Sequence, residues 1–161
     1  MMGRSRTLLL AAAFALLCAA PTVWAPPVAG QSGAADEPRR LYVVVHTRND
    51  RGRVFCAIWR GPEGYPTQRE HAVGEAIDRT VEDREAVCLF EDVTPGEYAT
   101  AVFHDENANN DLDRNLFGIP SEGTGASNDA INMFGPPRYH DARFRYPSNT
   151  RRHRIDVRIH Y

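Results

Sequence analysis

The chain has 161 residues, 42% of them hydrophobic, and carries 19 Lys and Arg against 21 Asp and Glu for a net charge of −2 at pH 7. That balance offers no basic footprint for a nucleic-acid backbone. The length suits one ordinary domain with a single core, and the apolar run Leu8–Ala20 falls short of the ~20 residues that a spanning helix needs.

Arg4 and Arg6 precede this run and small residues follow it, with Val23/Ala25 and Val28/Gly30 as the best cleavage pairs. A charged, then apolar, then small-residue order is that of a secretory signal peptide. Residues 1–30 are therefore expected to be removed on export to the periplasm or the cell exterior. Loss of Arg4 and Arg6 leaves 17 basic residues against 21 acidic, a net charge of −4. Residues 31–40 mix Pro, Gly, Ala and charges without a period and read as a flexible leader. Residues 41–161 are expected to form one domain.

Leu41–Thr47 is rich in β-branched and aromatic residues and reads as a strand. The polar turn Arg48–Gly52 leads to a second, Arg53–Trp59, and the two are expected to pair as a hairpin. In the second strand Val54, Cys56 and Ile58 share one face, with Phe55, Ala57 and Trp59 opposite. From Thr67 to Asp83 the sequence is charged and weakly periodic, compatible with a short helix or an irregular crossover. Glu85–Phe90 is a third strand. The Thr94-Pro95-Gly96 turn has proline to preset φ and glycine to allow a positive one. A fourth strand, Glu97–His104, places Tyr98, Thr100, Val102 and His104 on one face. Asp141–Tyr146 reads as a short edge strand. At the end, Ile155, Val157 and Ile159 alternate with charged residues, as in a strand with one buried face. Strands in this number and order predict an all-β antiparallel sandwich with little helix and one long Asn/Asp/Gly-rich loop.

Cys18 leaves with the signal peptide, so Cys56 and Cys88 remain as an even pair in an oxidising compartment. They are expected to form a disulfide that holds strands together. Neither belongs to a Cys-x-x-Cys motif, which argues against a redox role.

Directly after the fourth strand, Asp105, Asn107, Asn109, Asp111 and Asp113 occupy every second position. Short oxygen-bearing side chains at this spacing suit two jobs. They can bond their own backbone into Asx-turns, or they can surround a hard cation such as calcium, the one cofactor the sequence brings to mind. For calcium, Asp105, Asn107, Asn109 and Asp113 would give side-chain oxygens and Asp111 a carbonyl. Against it, Asn110 stands at the sharp-turn position that glycine usually fills, although Asn tolerates a left-handed φ. Leu116 stands where a bidentate Glu belongs, leaving Glu122 as the nearest substitute.

The stretches Phe90–Ala99, His104-Asp105-Glu106-Asn107-Ala108-Asn109, Leu112-Asp113, Gly118-Ile119-Pro120-Ser121-Glu122-Gly123 and Ala126-Ser127-Asn128 resemble a bacterial family of small exported proteins, domain of unknown function 2141. The resemblance extends over about residues 41–161 and is strongest in 88–128. Two positions depart from its pattern: Asn110 replaces a glycine and Ala126 an aromatic residue. The resemblance implies a sandwich of the transthyretin-like (prealbumin-like) or immunoglobulin-like kind. It implies no activity.

The function expected from these residues is a non-catalytic binding or structural module of the cell envelope, with an envelope protein or a carbohydrate as partner. A small hydrolase centred on His104 and Asp105 is the alternative. The four histidines His46, His104, His153 and His160 invite comparison with transthyretin-like hydrolases, whose C-terminal Tyr-Arg-Gly-Ser is missing here. Zinc spacings and a nucleophile elbow around Ser121 or Ser127 are also missing. Carbohydrate binding would need coplanar exposed aromatics, for which Trp59 with Tyr65 and Phe134 with Tyr139 are the candidates.

Overall fold

The computed structural model describes residues 37–133 and 135–161, so the apolar N-terminal run, most of the leader and Phe134 lie outside the described residues. Among these described residues, eight strands form two sheets: β1 (Arg40–His46), β2 (Arg53–Trp59), β3 (Gly74–Asp78), β4 (Glu85–Phe90), β5 (Gly96–Asp105), β6 (Gly123–Ala126), β7 (Phe144–Tyr146) and β8 (Arg152–Arg158). One sheet has the order β4-β1-β8; the other runs β3-β2-β5-β6, with β7 also paired to β5. Among the described residues, helix is limited to short 3-10 turns at Arg69–His71 and Ser127–Asp129 and one turn of α-helix, α1 (Tyr139–Ala142). The all-β sandwich is as the strand pattern predicts.

Its core lies between the sheets. Leu41, Val43 and Val45 of β1 and Val157 of β8 face Val54, Cys56 and Ile58 of β2 and Tyr98 and Val102 of β5, all nearly or fully buried. At ~25 cal/mol per Å² of apolar surface, each such side chain gains about 1.5–3 kcal/mol by burial. Cys56 and Cys88 are joined by a disulfide, Cα–Cα 6.2 Å, and this bond ties β2 of one sheet to β4 of the other. The turn before β5 is locked by the Tyr98 hydroxyl, which donates to the Thr94 carbonyl at 2.8 Å.

Three expectations are corrected. β1 and β2 do not form a hairpin: β1 pairs with β4 and β8, whereas β2 pairs with β3 and β5. Both strands bury their alternate residues in the same core from opposite sides, so they stack rather than pair. Gly52 makes this crossing possible, with φ +72 and a site where a Cβ would stand 1.9 Å from the Asp105 carbonyl oxygen. Second, the undecided stretch 67–83 contains a genuine edge strand, β3, and the loop after β5 contains β6. Third, β8 runs parallel to β1, while every other ladder between strands is antiparallel. Residues 37–40 are held at the end of β8, where Glu37 pairs with Arg152 and Arg39 Nη2 donates to the Ser148 carbonyl at 3.1 Å.

Candidate functional site

His104 and Asp105 end β5, and both side chains are fully buried. His104 Nε2 lies 2.6 Å from the Arg51 carbonyl oxygen. A carbonyl can only accept, so Nε2 carries a proton, and in the neutral ring Nδ1 is then the acceptor. The donor to Nδ1 is the Tyr161 hydroxyl at 2.6 Å, which in turn accepts from the Arg48 amide at 3.1 Å. Tyr161 reaches this place because β6 has glycine beneath it: a Cβ on Gly123 would come within 2.4 Å of the Tyr161 ring. Burial pushes the Tyr161 phenol above its ordinary pKa.

The Arg48 guanidinium lies 4.1 Å from the Tyr161 ring centroid and its Nε donates to Glu106 Oε1 at 3.1 Å, with Nη2 on the second oxygen. That pairing holds the Glu106 carboxyl well below its usual range, at about 2, with an added hydrogen bond from Asn49. Tyr161, Arg48 and Glu106 thus complete a network of which the sequence had exposed only His104. Glu106 stood in the His-Asp-Glu-Asn motif and could have been found there. Tyr161 and Arg48 carry no local signal, because folding alone brings them to β5.

Asp105 acts on the loop. Its Oδ1 accepts the Asn109 amide at 3.0 Å and its Oδ2 the Asn110 amide at 2.8 Å, with Arg53 Nε 3.8 Å away. Arg53 also reaches over the turn, donating to Asn110 Oδ1 at 2.6 Å and the Ala108 carbonyl at 3.2 Å. Asn110 has φ +71, the left-handed conformation its glycine-like position demands. Glu122, also buried, joins the two ends of the loop: Oε1 accepts the Glu106 amide at 3.0 Å and Oε2 the Asp113 amide at 3.2 Å.

The other alternating residues lie outside this buried pair. Asn107 and Asn109 turn their amide groups to Asp113, with Nδ2–Oδ distances of 2.6 and 3.1 Å. Their own carbonyl oxygens accept the Asn109 and Asp111 amides, and Asp111 caps the Leu112 amide. The set is a ladder of Asx-turns in which Asn107, Asn109 and Asp113 meet while Asp105 and Asp111 serve separate amides. Among the described residues, no three His, Cys, Asp or Glu side chains converge as metal ligands. The Ala126-Ser127-Asn128 motif is structural too. Ser127 Oγ accepts the Thr100 amide at 3.0 Å and donates to the Ala142 carbonyl, and Asn128 Nδ2 donates to the Arg143 carbonyl, fastening α1 to β5. His46 is on the opposite sheet between Glu85 and Asp156, His153 beside Tyr146, and His160 is exposed, so the four histidines do not gather.

Among the described residues, loop segments 111–120, 130–133 and 135–137 border a cleft of about 800 Å³ over the outer face of the β2–β5–β6 sheet. The floor holds Phe55 and Phe103, stacked with ring centroids 4.7 Å apart, and Trp59. Ile119, Ile131 and Met133 form the walls. Trp59 and Tyr65 meet edge to face at 87°, and Trp59 is 1% exposed, so this pair is no flat platform for a sugar ring. Tyr139 is likewise edge-on to Tyr65.

A β-sandwich whose signature residues brace one polar loop beside an apolar cleft defines a scaffold-and-cleft module. The family model described as an uncharacterized protein conserved in bacteria, DUF2141, matches residues 43–154, and the chain belongs to that family. No curated protein and no solved structure matches it.

Proposed function

We propose that the chain is an exported, non-catalytic binding module, with the cleft between the β2–β5–β6 sheet and the loops as its binding surface. The observation that carries this reading is the state of His104 and Asp105. A general base needs a free lone pair within reach of a substrate proton. Here both ring nitrogens and both carboxylate oxygens are bonded to protein, beneath zero exposed surface. The same bonds, with those of Glu122, hold the loop in position beside the cleft. In this reading the oxygens of Asp105, Asn107, Asn109, Asp111 and Asp113 serve the loop backbone, and calcium is not required for the fold.

Export draws support from the basic, apolar, small-residue order of the first thirty residues and from the Cys56–Cys88 disulfide, a bond at home in oxidising compartments. The partner then belongs to the cell envelope or its surroundings. One assay pair tests the reading: ester hydrolysis and binding of an environment-sensitive naphthalene dye by the oxidised chain. Hydrolysis at the buffer rate together with dye binding that Met133→Asp weakens is the expected result. Turnover that disappears in a folded His104→Gln variant would replace the binding module with a hydrolase.

A further inference from the structure

We infer that the tip of the 111–120 loop docks the protein on a phospholipid bilayer by seating Leu116 and Phe117 in its interface. Leu116 is 101% and Phe117 87% exposed. Neither is among the groups that line the cleft, so this contact is additional to the binding surface proposed above. A single bare leucine is ordinary. Two large apolar neighbours at the apex of a braced turn are different, because the bracing keeps them from folding back onto the protein. Below the apex, Arg114 and Pro120 pair as a β-bridge. Within it, the Asn115 amide donates to the Ile119 carbonyl and the Gly118 amide to the Asn115 carbonyl, both at 2.9 Å. Asn115 Oδ1 accepts the Phe117 amide at 2.9 Å and the Ile119 amide at 3.1 Å.

The same bonds select the partner. Hydrocarbon offers no acceptor to a backbone N–H, so a segment that enters a bilayer must satisfy its amides internally. The amides of Asn115, Phe117, Gly118 and Ile119 are spent inside the turn, and Pro120 has none. A protein partner that adds to a chain by main-chain hydrogen bonds needs free amides, and these four offer it none. What the tip presents is apolar side chain on a convex apex, which a fluid interface takes up without a preformed pocket. Arg114 supplies a polar contact at the foot. It is exposed, and its Nη1 donates to the Gly118 carbonyl at 3.0 Å. Among the described residues its guanidinium has no other hydrogen bond or ion pair, so its remaining N–H groups suit a lipid phosphate. Asp111 and Asp113 neighbour Arg114 in the chain. The local charge is therefore mixed, and apolar insertion rather than attraction to anionic lipid carries the affinity.

The test is co-sedimentation of the oxidised chain, as exported, with excess phosphatidylcholine vesicles, with and without phosphatidylglycerol. The expected result is binding to both kinds of vesicle. Leu116→Ser combined with Phe117→Ser should weaken the partition at least about tenfold, with an unchanged melting temperature because both side chains are exposed. In Phe117→Trp, emission should shift to the blue with vesicles and be quenched by lipids brominated along their acyl chains, against a constant signal from the buried Trp59. No sedimentation, equal sedimentation of the double variant, or an unshifted tryptophan would overturn the tip as a bilayer anchor. Binding that requires phosphatidylglycerol would replace insertion by charge attraction and overturn it too. Sedimentation lost in Met133→Asp but kept in the double variant would move the lipid to the cleft. A stable dimer that the double variant dissociates would make a second copy the occupant of the tip and overturn the bilayer.

Discussion

The Tyr161 hydroxyl donates to Nδ1 of the buried His104 across 2.6 Å, joining the last residue of the chain to the end of β5. The assignment follows from the Arg51 carbonyl on the other ring nitrogen, which forces the proton to Nε2. Removing the hydroxyl leaves a buried imidazole acceptor unpaired, a loss of about 1–3 kcal/mol. Tyr161→Phe should therefore lower the unfolding free energy from urea titration by that amount, while Tyr139→Phe, whose hydroxyl has no hydrogen-bond partner among the described residues, serves as a control with no such bond to lose. An unchanged midpoint in Tyr161→Phe would remove Tyr161 from the network.

Asp105 governs the loop by accepting two backbone amides at once. Asp105→Asn keeps the volume but substitutes a donor for one acceptor, so one of the Asn109 and Asn110 amides loses its partner. Hydrogen bonds to a charged group are worth about 1.5–3 kcal/mol, and the expected effect is a comparable loss of stability with faster amide exchange at Asn109 and Asn110. Exchange that stays slow at both positions would show the carboxylate to be dispensable.

Much of the sandwich was legible because period-2 burial writes itself into strands such as β2 and β8. Which strands are neighbours was not. Val43 and Cys56 face one core, and the sequence cannot say whether they do so from one sheet or from two; that decision rests on Gly52 and its approach to Asp105. β6 went unseen because Gly123, Thr124, Gly125 and Ala126 lack strand-favouring bulk, and their smallness is what admits the C-terminal residues. In the loop, Asx-turns and cation ligation demand the same residues, so His104, Asp105 and Glu122 could be located by motif but not assigned partners. The cleft has no motif at all, since its walls come from segments far apart in sequence.

Calcium supplies a further prediction. Both oxygens of Asp105 and both of Glu122 already accept amides, and Asn107 and Asn109 point their Nδ2 groups at Asp113. Ligation would have to reverse these two amides and share the carboxylates. The melting temperature of the oxidised chain is expected to be the same in excess EDTA and in millimolar calcium. A ligand at a hundredfold excess over its dissociation constant would add about 2.7 kcal/mol of stability. A calcium-specific rise lost in Asp113→Ala would make the loop a metal site.

The Cys56–Cys88 bond closes a loop with a sequence separation of 32 and fastens β2 to β4 across the sandwich. In the chain-entropy model a loop of that size contributes about 3–4 kcal/mol through the unfolded state. Reduction, or the paired change Cys56→Ala and Cys88→Ala, should lower the unfolding free energy by about that much. Equal stability of oxidised and reduced forms would mean that the bond is incidental to the fold.

Acid titration isolates the Arg48–Glu106 pair. Glu106 in the folded chain has its carboxyl pKa held to about 2 by the Arg48 hydrogen bond, against an ordinary 4.5. A carboxylate depressed in this way stabilises the fold above its unfolded value, and that contribution fades as pH falls from about 4.5 through about 2. Asp156, lowered by Arg154, and Glu37, lowered by Arg152, act in the same direction, so the informative quantity is a difference. The urea midpoint of the native chain should fall more steeply than that of Glu106→Gln between pH 4.5 and 2, the two curves drawing together at the acid end. Half of the Arg48 side chain is open to solvent, so 0.5 M salt should shrink the gap. Parallel curves at low salt would mean that Glu106 contributes through shape and its neutral hydrogen bonds rather than its charge.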